Sequence, residues 1–333
     1  MPSTRPKVCV VGGGIIGLSS AYKVLQDVPG SQVTVYSSKF SPDTTADISA
    51  GFIFPYACGG DQRLLELWFK QTLDRLCELY KRDDAFEIGI APLSGYAVDA
   101  EAPDSIRKYF PDFREVGDRE KELYVHCEGT TYFMTTYTCE CLKYLPWLMK
   151  EFKKLGGNVL QKHVEKLEDV DGFDIVINCT GIEAKKLIPT DDMQPDRGQI
   201  IIVKAPWIKQ FKLVGDDTYI LPRLTDVVLG GTHQIGNYSL ELSEPTRKHI
   251  FKTCCELEPS LKHCEVIGSK VGLRPRRSCV RVELTSMFVN GRNVALIHNY
   301  GHGGSGVTLH WGCAKQTSAL VQKFLSSNEF AKL

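Results

Sequence analysis

Lys7-Val8-Cys9-Val10-Val11-Gly12-Gly13-Gly14-Ile15-Ile16-Gly17 is the stretch that decides the fold. The residues before Gly12 are apolar, few and β-branched, the pattern of a strand buried on both faces in a parallel sheet. Beyond the glycines, Ile15, Leu18, Ala21, Val24, Leu25 and Val28 recur at helical spacing and lay one apolar face on that sheet. Gly12, Gly14 and Gly17 fill the three required positions of G-x-G-x-x-G. Gly12 permits the tight turn, Gly14 lets backbone approach a pyrophosphate, and Gly17 lets helix and strand pack closely. The anion then meets unpaired N–H groups and the positive end of the helix dipole. The glycines alone would say little; between a strand and a helix they point to a bound dinucleotide. A nicotinamide dehydrogenase satisfies the same motif as a flavoprotein, and only the flavoprotein would be yellow.

The next strand, Gln32-Val33-Thr34-Val35-Tyr36, should end at an acid that holds the adenosine ribose. Ser37, Ser38 and Lys39 stand there instead, and a serine accepts the ribose hydroxyl more weakly than a carboxylate. Downstream, residues 64–80 and 141–155 have helical patterning, the second interrupted by Pro146 and stopped by Gly156-Gly157. Residues 158–161 and 173–179 are strand-like, and 199–203, 219–221 and 227–230 are strands separated by turn residues, as in an antiparallel sheet. Residues 308–324 form a closing helix. A βαβ start followed by an antiparallel middle predicts a nucleotide domain and a substrate domain.

The chain has 333 residues, 43% hydrophobic and 24% charged, which is ordinary globular composition. Its 40 basic and 40 acidic residues cancel. A chain without net charge has no long-range field to gather polyphosphate, which counts against a nucleic-acid binder. No apolar run approaches the roughly 18 residues that span a bilayer. The twelve cysteines contain no C-x-x-C pair, so no metal site is expected, and they suit free thiols in a reducing compartment. Composition leaves a homo-oligomer open.

Longer strings carry a resemblance. VVGGGIIGLSSA at the start, SPDTTADISAG at 41–51, YLPWL at 144–148 and VINCTG at 176–181 run in order. PDRGQI at 195–200, APWIKQF at 205–211, VVLGGTHQIGN at 227–237 and CCELEPSL at 254–261 follow. VGLRPRR at 271–277 and IHNYGHGGSGVTLHWG at 297–312 are the most specific. Over nearly its whole length the chain resembles the D-amino-acid oxidase and D-aspartate oxidase family of flavoproteins. The resemblance implies an α/β fold with a Rossmann-like FAD-binding domain, assembled from residues 1–52, 150–200 and 265–333. A second, antiparallel-sheet α+β substrate domain would take residues 53–149 and 201–264.

It also implies where FAD would lie: along Gly12, Gly14, Ile15, Ile16 and Gly17, past Ser38 and Lys39, and over the turn at Thr44-Thr45. Ala50 and Gly51 would approach the isoalloxazine, and Val164, Thr180 and Gly181 the adenosine side. The cluster of Gly301, Gly303, Gly304 and Gly306, with Val307 and Thr308 opening a helix, would aim N–H groups at the flavin edge where negative charge grows on reduction. Arg274 would hold the substrate α-carboxylate as a planar fork, helped by the Tyr219 hydroxyl, while the Gly304 carbonyl accepts from the amine. The implied reaction moves a hydride from Cα to flavin N5, with no residue as general base. The imino acid then hydrolyses to a 2-oxo acid and ammonia, and oxygen becomes hydrogen peroxide. Retention of Arg274, Tyr219 and the second glycine cluster argues against a non-catalytic relative.

The short stretch between Phe211 and Tyr219, and Thr232, resemble the aspartate-oxidising branch. That branch places arginines where this chain has His233 and, in a looser alignment, Lys212. Tyr56 and the 297–300 string look more like the branch acting on neutral D-amino acids, which stays open as the alternative. The expectation is oxidation of acidic D-amino acids, with His233 and Lys212 facing the second carboxylate, a task histidine performs well only when protonated. Finally, Ala331-Lys332-Leu333 resembles the Ser-Lys-Leu ending that receptors read for peroxisomal import, a fitting address for a peroxide producer.

Overall fold

Val8, Val10, Val33, Val35, Ile175 and Ile177 have no exposed surface, because they lie in the middle of a covered parallel sheet. The structure, a computed structural model, describes residues 5–99, 104–125, 127–215 and 217–327. The import-like ending at 331–333 lies outside the described residues. Strand Lys7–Val11 pairs in parallel with Gln32–Ser37 on one side and Ile175–Asn178 on the other. Asn158–Gln161 extends the first edge and Arg292–His302 the second, both in parallel. Helices Ile15–Asp27 and Gly306–Ser326 cover one face. On the other, Cys9, Val11, Val176, Val294 and Leu296 pack against Val164, Leu167 and Val170.

One 25-residue strand, Glu265–Val289, joins this layer to the rest of the sheet. Its later half is antiparallel to Arg292–His302, and its earlier half is antiparallel to Gln194–Lys204. The register breaks between Arg276 and Arg281. Beyond Gln194–Lys204 come Val227–Gly230, Thr218–Pro222 and Phe211–Val214, all antiparallel. Ile90–Val98 then adds in parallel, followed by Thr131–Cys139 and Arg114–Glu115. The fold is therefore α/β, a Rossmann-like layer continued by a mostly antiparallel sheet. Alternation sorts the faces of that second layer: Ile220, Val227 and Leu229 pack under helix Glu244–Leu257, while Tyr219, Leu221 and Val228 face the opposite way.

Pro146 does not interrupt its helix, which runs from Cys141 through Lys154. A mid-helix proline costs about 3 kcal/mol. Here Tyr144, Leu145, Leu148 and Phe152 are fully buried on one face, each contributing roughly 1.5–3 kcal/mol, so tertiary burial wins. The twelve cysteines are all free thiols. Among the described residues no helix is long and apolar enough to cross a membrane, and no group of three or more His, Cys, Asp or Glu is placed to hold a metal ion.

His298, His302 and His310 are nearly or wholly buried, and burial drives each below the ordinary 6.5, to about 4, 3 and 4 respectively. His310 keeps hydrogen bonds to Tyr144 Oη (3.0 Å) and the Val307 carbonyl (2.6 Å), so it is accommodated as a neutral ring. The unfolded chain protonates these rings below 6.5 whereas the folded chain does so only near 3–4. Their contribution is thus complete above 6.5 and lost as pH falls toward 4. Thermal unfolding should show stability falling from pH 6.5 to 5, with His302→Gln removing up to about 1.4 kcal/mol per pH unit of that slope. An unchanged slope in His302→Gln would contradict a neutral His302.

Candidate active site

The carboxyl ends of the parallel strands form a crest lined by glycine. Gly12 follows the first strand at φ 122°, and a Cβ there would run into the Cys179 carbonyl that ends a neighbouring strand. A Cβ on Gly17 would strike the Gly12 carbonyl, so helix and turn are locked by the absence of side chains. Gly14 differs: it is the N-cap of helix Ile15–Asp27, no side chain caps that end, and the space beside it is open for 4 Å. Ile15 is buried against the core and Ile16 is half-buried beside it, so the first turn offers backbone rather than side chains. Gly181, after the third crest strand, has a similarly open flank at φ 57°. An uncapped helix end between bare glycine flanks fits a pyrophosphate.

Around this crest, Ser38 and Lys39 are both exposed, with Gln161 Nε2 donating to the Ser38 carbonyl at 3.3 Å. Thr44 and Thr45 open a short turn organised by buried Asp47, whose carboxylate accepts from Thr44 N (2.9 Å) and Thr44 Oγ1 (2.6 Å). Thr180 Oγ1 donates to Asn178 Oδ1 at 2.7 Å, and Val164 is buried beneath. Ala50 is half-buried; Gly51, at φ 76°, is required by the Cys139 carbonyl that crosses it. Gly303, at φ 53°, is pressed against the Ala57 carbonyl, and Gly306 begins the closing helix with an open flank and no side-chain cap. Val307 is a core residue. The Thr308 hydroxyl donates to the Phe54 carbonyl (3.0 Å) and accepts from Phe54 N (3.3 Å), tying the first turn of the closing helix to that backbone.

A second cluster hangs from the joining strand. Register sets Arg274 opposite Asp196, and the Arg274 guanidinium lies across Gly198, 2.7 Å from where a Cβ would stand. Its Nη1 donates to the Thr232 carbonyl at 2.9 Å and lies 3.6 Å from Asp196 Oδ2. Tyr219 packs its ring over Gly230 and Gly231. Burial raises the Tyr219 phenol, the Arg274 charge and hydrogen bond opposing, so the hydroxyl is a protonated donor beside the fork. His233 Nδ1 meets Asp196 Oδ2 at 2.6 Å, and His233 Nε2 meets the Tyr56 hydroxyl. The Tyr56 ring in turn lies 2.7 Å from where a Gly304 Cβ would stand. Asp196 is 1% exposed. Burial alone would raise it, but the His233 hydrogen bond and the charges of Arg274, His233 and Arg276 outweigh burial and hold it below the usual carboxylate range.

Arg274, Tyr219, His233, Tyr56 and Gly304 thus come together, and Lys212 does not join them. It pairs with Ile220, on the face opposite Tyr219, and its ammonium is bound by Glu258 Oε2 (2.9 Å) and the Leu257 carbonyl (3.4 Å). The expected second cation of the pocket is a structural ion pair under helix Glu244–Leu257. Asp196 and Gly198, which sequence reasoning did not single out, sit inside the PDRGQI string; only the strand register shows their proximity to Arg274.

A conserved family model described as FAD dependent oxidoreductase matches residues 7–320. The chain belongs to that family, and its cofactor is FAD. It is 36% identical to the D-aspartate oxidase of Homo sapiens over 95% of both chains. It is 34% identical to the D-amino acid oxidase of Dugesia ryukyuensis, over 96% of this chain and 98% of that one. Among solved structures, the glycine oxidase of Geobacillus kaustophilus shares the fold with a TM-score of 0.75 at 17% identity, covering 96% of this chain and 95% of that one. The iminodiacetate oxidase of Chelativorans sp. BNC1 does so with 0.75 at 19%, covering 95% of each.

The glycines separate fold from cofactor. Gly14→Ala should fold with stability within about 1 kcal/mol of the parent, since its flank is open, yet purify with less flavin. Gly17→Ala should lose the fold, because backbone occupies the space. Visible absorbance and thermal melts of both variants check this; equal flavin content in Gly14→Ala and the parent would contradict it.

Proposed function

We propose that this oxidoreductase oxidises D-amino acids, acidic ones by preference (D-aspartate and D-glutamate), to the 2-oxo acid, ammonia and hydrogen peroxide. The observation that carries the reading is the Arg274 fork, lying over Gly198 and beside a protonated Tyr219, next to the His233 imidazole, whose Nδ1 is held by Asp196. Bound FAD supplies the hydride acceptor and the route from substrate to oxygen. Arg274 grips the α-carboxylate through paired N–H donors, with the Tyr219 hydroxyl as a further donor. The Gly304 carbonyl accepts from the amine, which leaves one enantiomer able to aim its Cα–H at the flavin. No side chain is needed as general base. The crest glycines, with residues 1–52, 150–200 and 265–333, hold the cofactor in this reading, and residues 53–149 and 201–264 shape the substrate side. The Ala331-Lys332-Leu333 ending supports delivery to the peroxisome matrix.

The neutral D-amino-acid oxidase is the second reading. It is favoured by Asp196, whose charge offsets one of the pocket's cations, and by the engagement of Lys212 elsewhere.

Peroxide release from FAD-supplemented protein should be faster with D-aspartate and D-glutamate than with D-alanine or D-proline, and absent with the L-enantiomers. Arg274→Ala should cost about 3 kcal/mol, roughly a hundredfold in kcat/KM, for every D-substrate. A preference for D-alanine or D-proline would overturn the acidic assignment, and an Arg274→Ala enzyme of undiminished kcat/KM would remove Arg274 from the site.

A further inference from the structure

Arg276 stands two residues beyond Arg274 on the long strand, and the pleat sends both side chains to the same face. It pairs with Gln194 on one side and on the other with His302, which leads into Gly303 and Gly304. Asp196, directly opposite Arg274, is therefore its diagonal neighbour, at the roughly 7–8 Å usual for such pairs. The Asp196 carboxylate feels it: burial raises that group, and what overcomes burial is His233, then Arg274, then Arg276.

The other cations around the cluster are committed. Arg274 donates to the Thr232 carbonyl and lies 3.6 Å from Asp196, Arg277 and Arg281 close on Asp191, and Lys212 is bound by Glu258 on the opposite face. Arg276 is exposed, and among the described residues its guanidinium has no hydrogen bond or ion pair. An exposed arginine is ordinarily a solvated charge worth little. This one shares a strand face with the fork assigned to the α-carboxylate, and residues two apart on a strand are separated by about 7 Å. The two acidic groups of D-aspartate or D-glutamate lie a few carbons apart, so a fork at each position can hold one apiece.

Resting on the D-amino-acid oxidase reading, we propose that Arg276 is the residue that selects acidic substrates, receiving the side-chain carboxylate while Arg274 holds the α-carboxylate. The cation that the pocket lacks in Lys212 is then supplied by the same strand that supplies the first fork, and the spacing of the two is fixed by the pleat.

The test is KM and kcat for D-glutamate against D-glutamine, and for D-aspartate against D-asparagine, with the FAD-loaded full chain at fixed pH and ionic strength. The proteins are the parent, Arg276→Gln and Arg276→Lys. Within each pair the α-carboxylate, amine and chain length are shared, so the ratio of KM values isolates the side-chain charge. Arg276→Gln should raise KM for each acid relative to its amide by about tenfold, the scale of a hydrogen bond to a charged group, with the change in KM rather than kcat. Arg276→Lys, which keeps the charge but not the fork, should restore part of the difference. Glutarate and its monoamide, which cannot be oxidised, should show the same shift in the ratio of their Kd values, read from the flavin's visible spectrum.

A loss that falls equally on acids and amides would mean that Arg276 acts through Asp196 and Arg274, and overturns the proposal. So does an acid-to-amide ratio that Arg276→Gln leaves unchanged. If the parent prefers D-alanine but Arg276→Gln still raises the ratios, the acidic preference falls and the role of Arg276 stands. No oxidation of any D-substrate overturns the oxidase reading, and the glutarate ratio then decides Arg276 by itself: shifted, it supports the side-chain contact; unshifted, it overturns it.

Discussion

Strand Glu265–Val289 is hydrogen-bonded along one half to the antiparallel layer and along the other to Arg292–His302, the last strand of the parallel layer. Everything at the site depends on that shared strand. It fixes Arg274 opposite Asp196 in one layer, while its hairpin partner leads directly into Gly301, Gly303 and Gly304 in the other. A one-residue slip would turn Arg274 to the other face of the sheet. The register break between Arg276 and Arg281 falls where the strand passes from one layer to the other, with Gly59 accepting from Val280 N at 3.0 Å.

The pocket is an exercise in buried charge. Arg274 would be costly beside a buried sheet if nothing faced it. Asp196 lies close enough to offset that cost, and the Thr232 carbonyl absorbs one of its N–H groups, so the fork is oriented before substrate arrives. The same carboxylate serves His233. One acid thus organises both the guanidinium and the imidazole, and the His233 hydrogen bond and the Arg274 charge hold it below the usual carboxylate range. Farther back, Arg277 and Arg281 close on the buried Asp191, with the Tyr300 hydroxyl donating to it at 2.8 Å. That network stiffens the base of the hairpin that carries the second glycine cluster.

The first βαβ unit was legible because its signals are local: apolar strands, glycines at fixed spacing and one apolar helix face. The long strand was not, since residues 265–289 alternate charged and apolar side chains around Gly268, Gly272 and Pro275, and lack any apolar run. The pairing of its earlier half depends on partners roughly 60 to 80 residues upstream. At the site, Arg274, Tyr219, His233, Tyr56 and Gly304 came from the family resemblance and converge in space. Lys212 was misplaced because strand alternation, invisible in an uncertain alignment, sends its side chain to Glu258. Asp196 escaped notice because a lone aspartate before Arg197 carries no pattern; its meaning appears only across a sheet.

In the proposed reaction the chain presents a D-amino acid's Cα–H to a bound flavin. Anaerobic mixing of the purified, FAD-loaded protein with D-aspartate, followed in the flavin's visible absorption, tests it most directly. Bleaching is expected with the D-enantiomer and none with L-aspartate. Unchanged absorption with D-aspartate and with every other D-amino acid would contradict it.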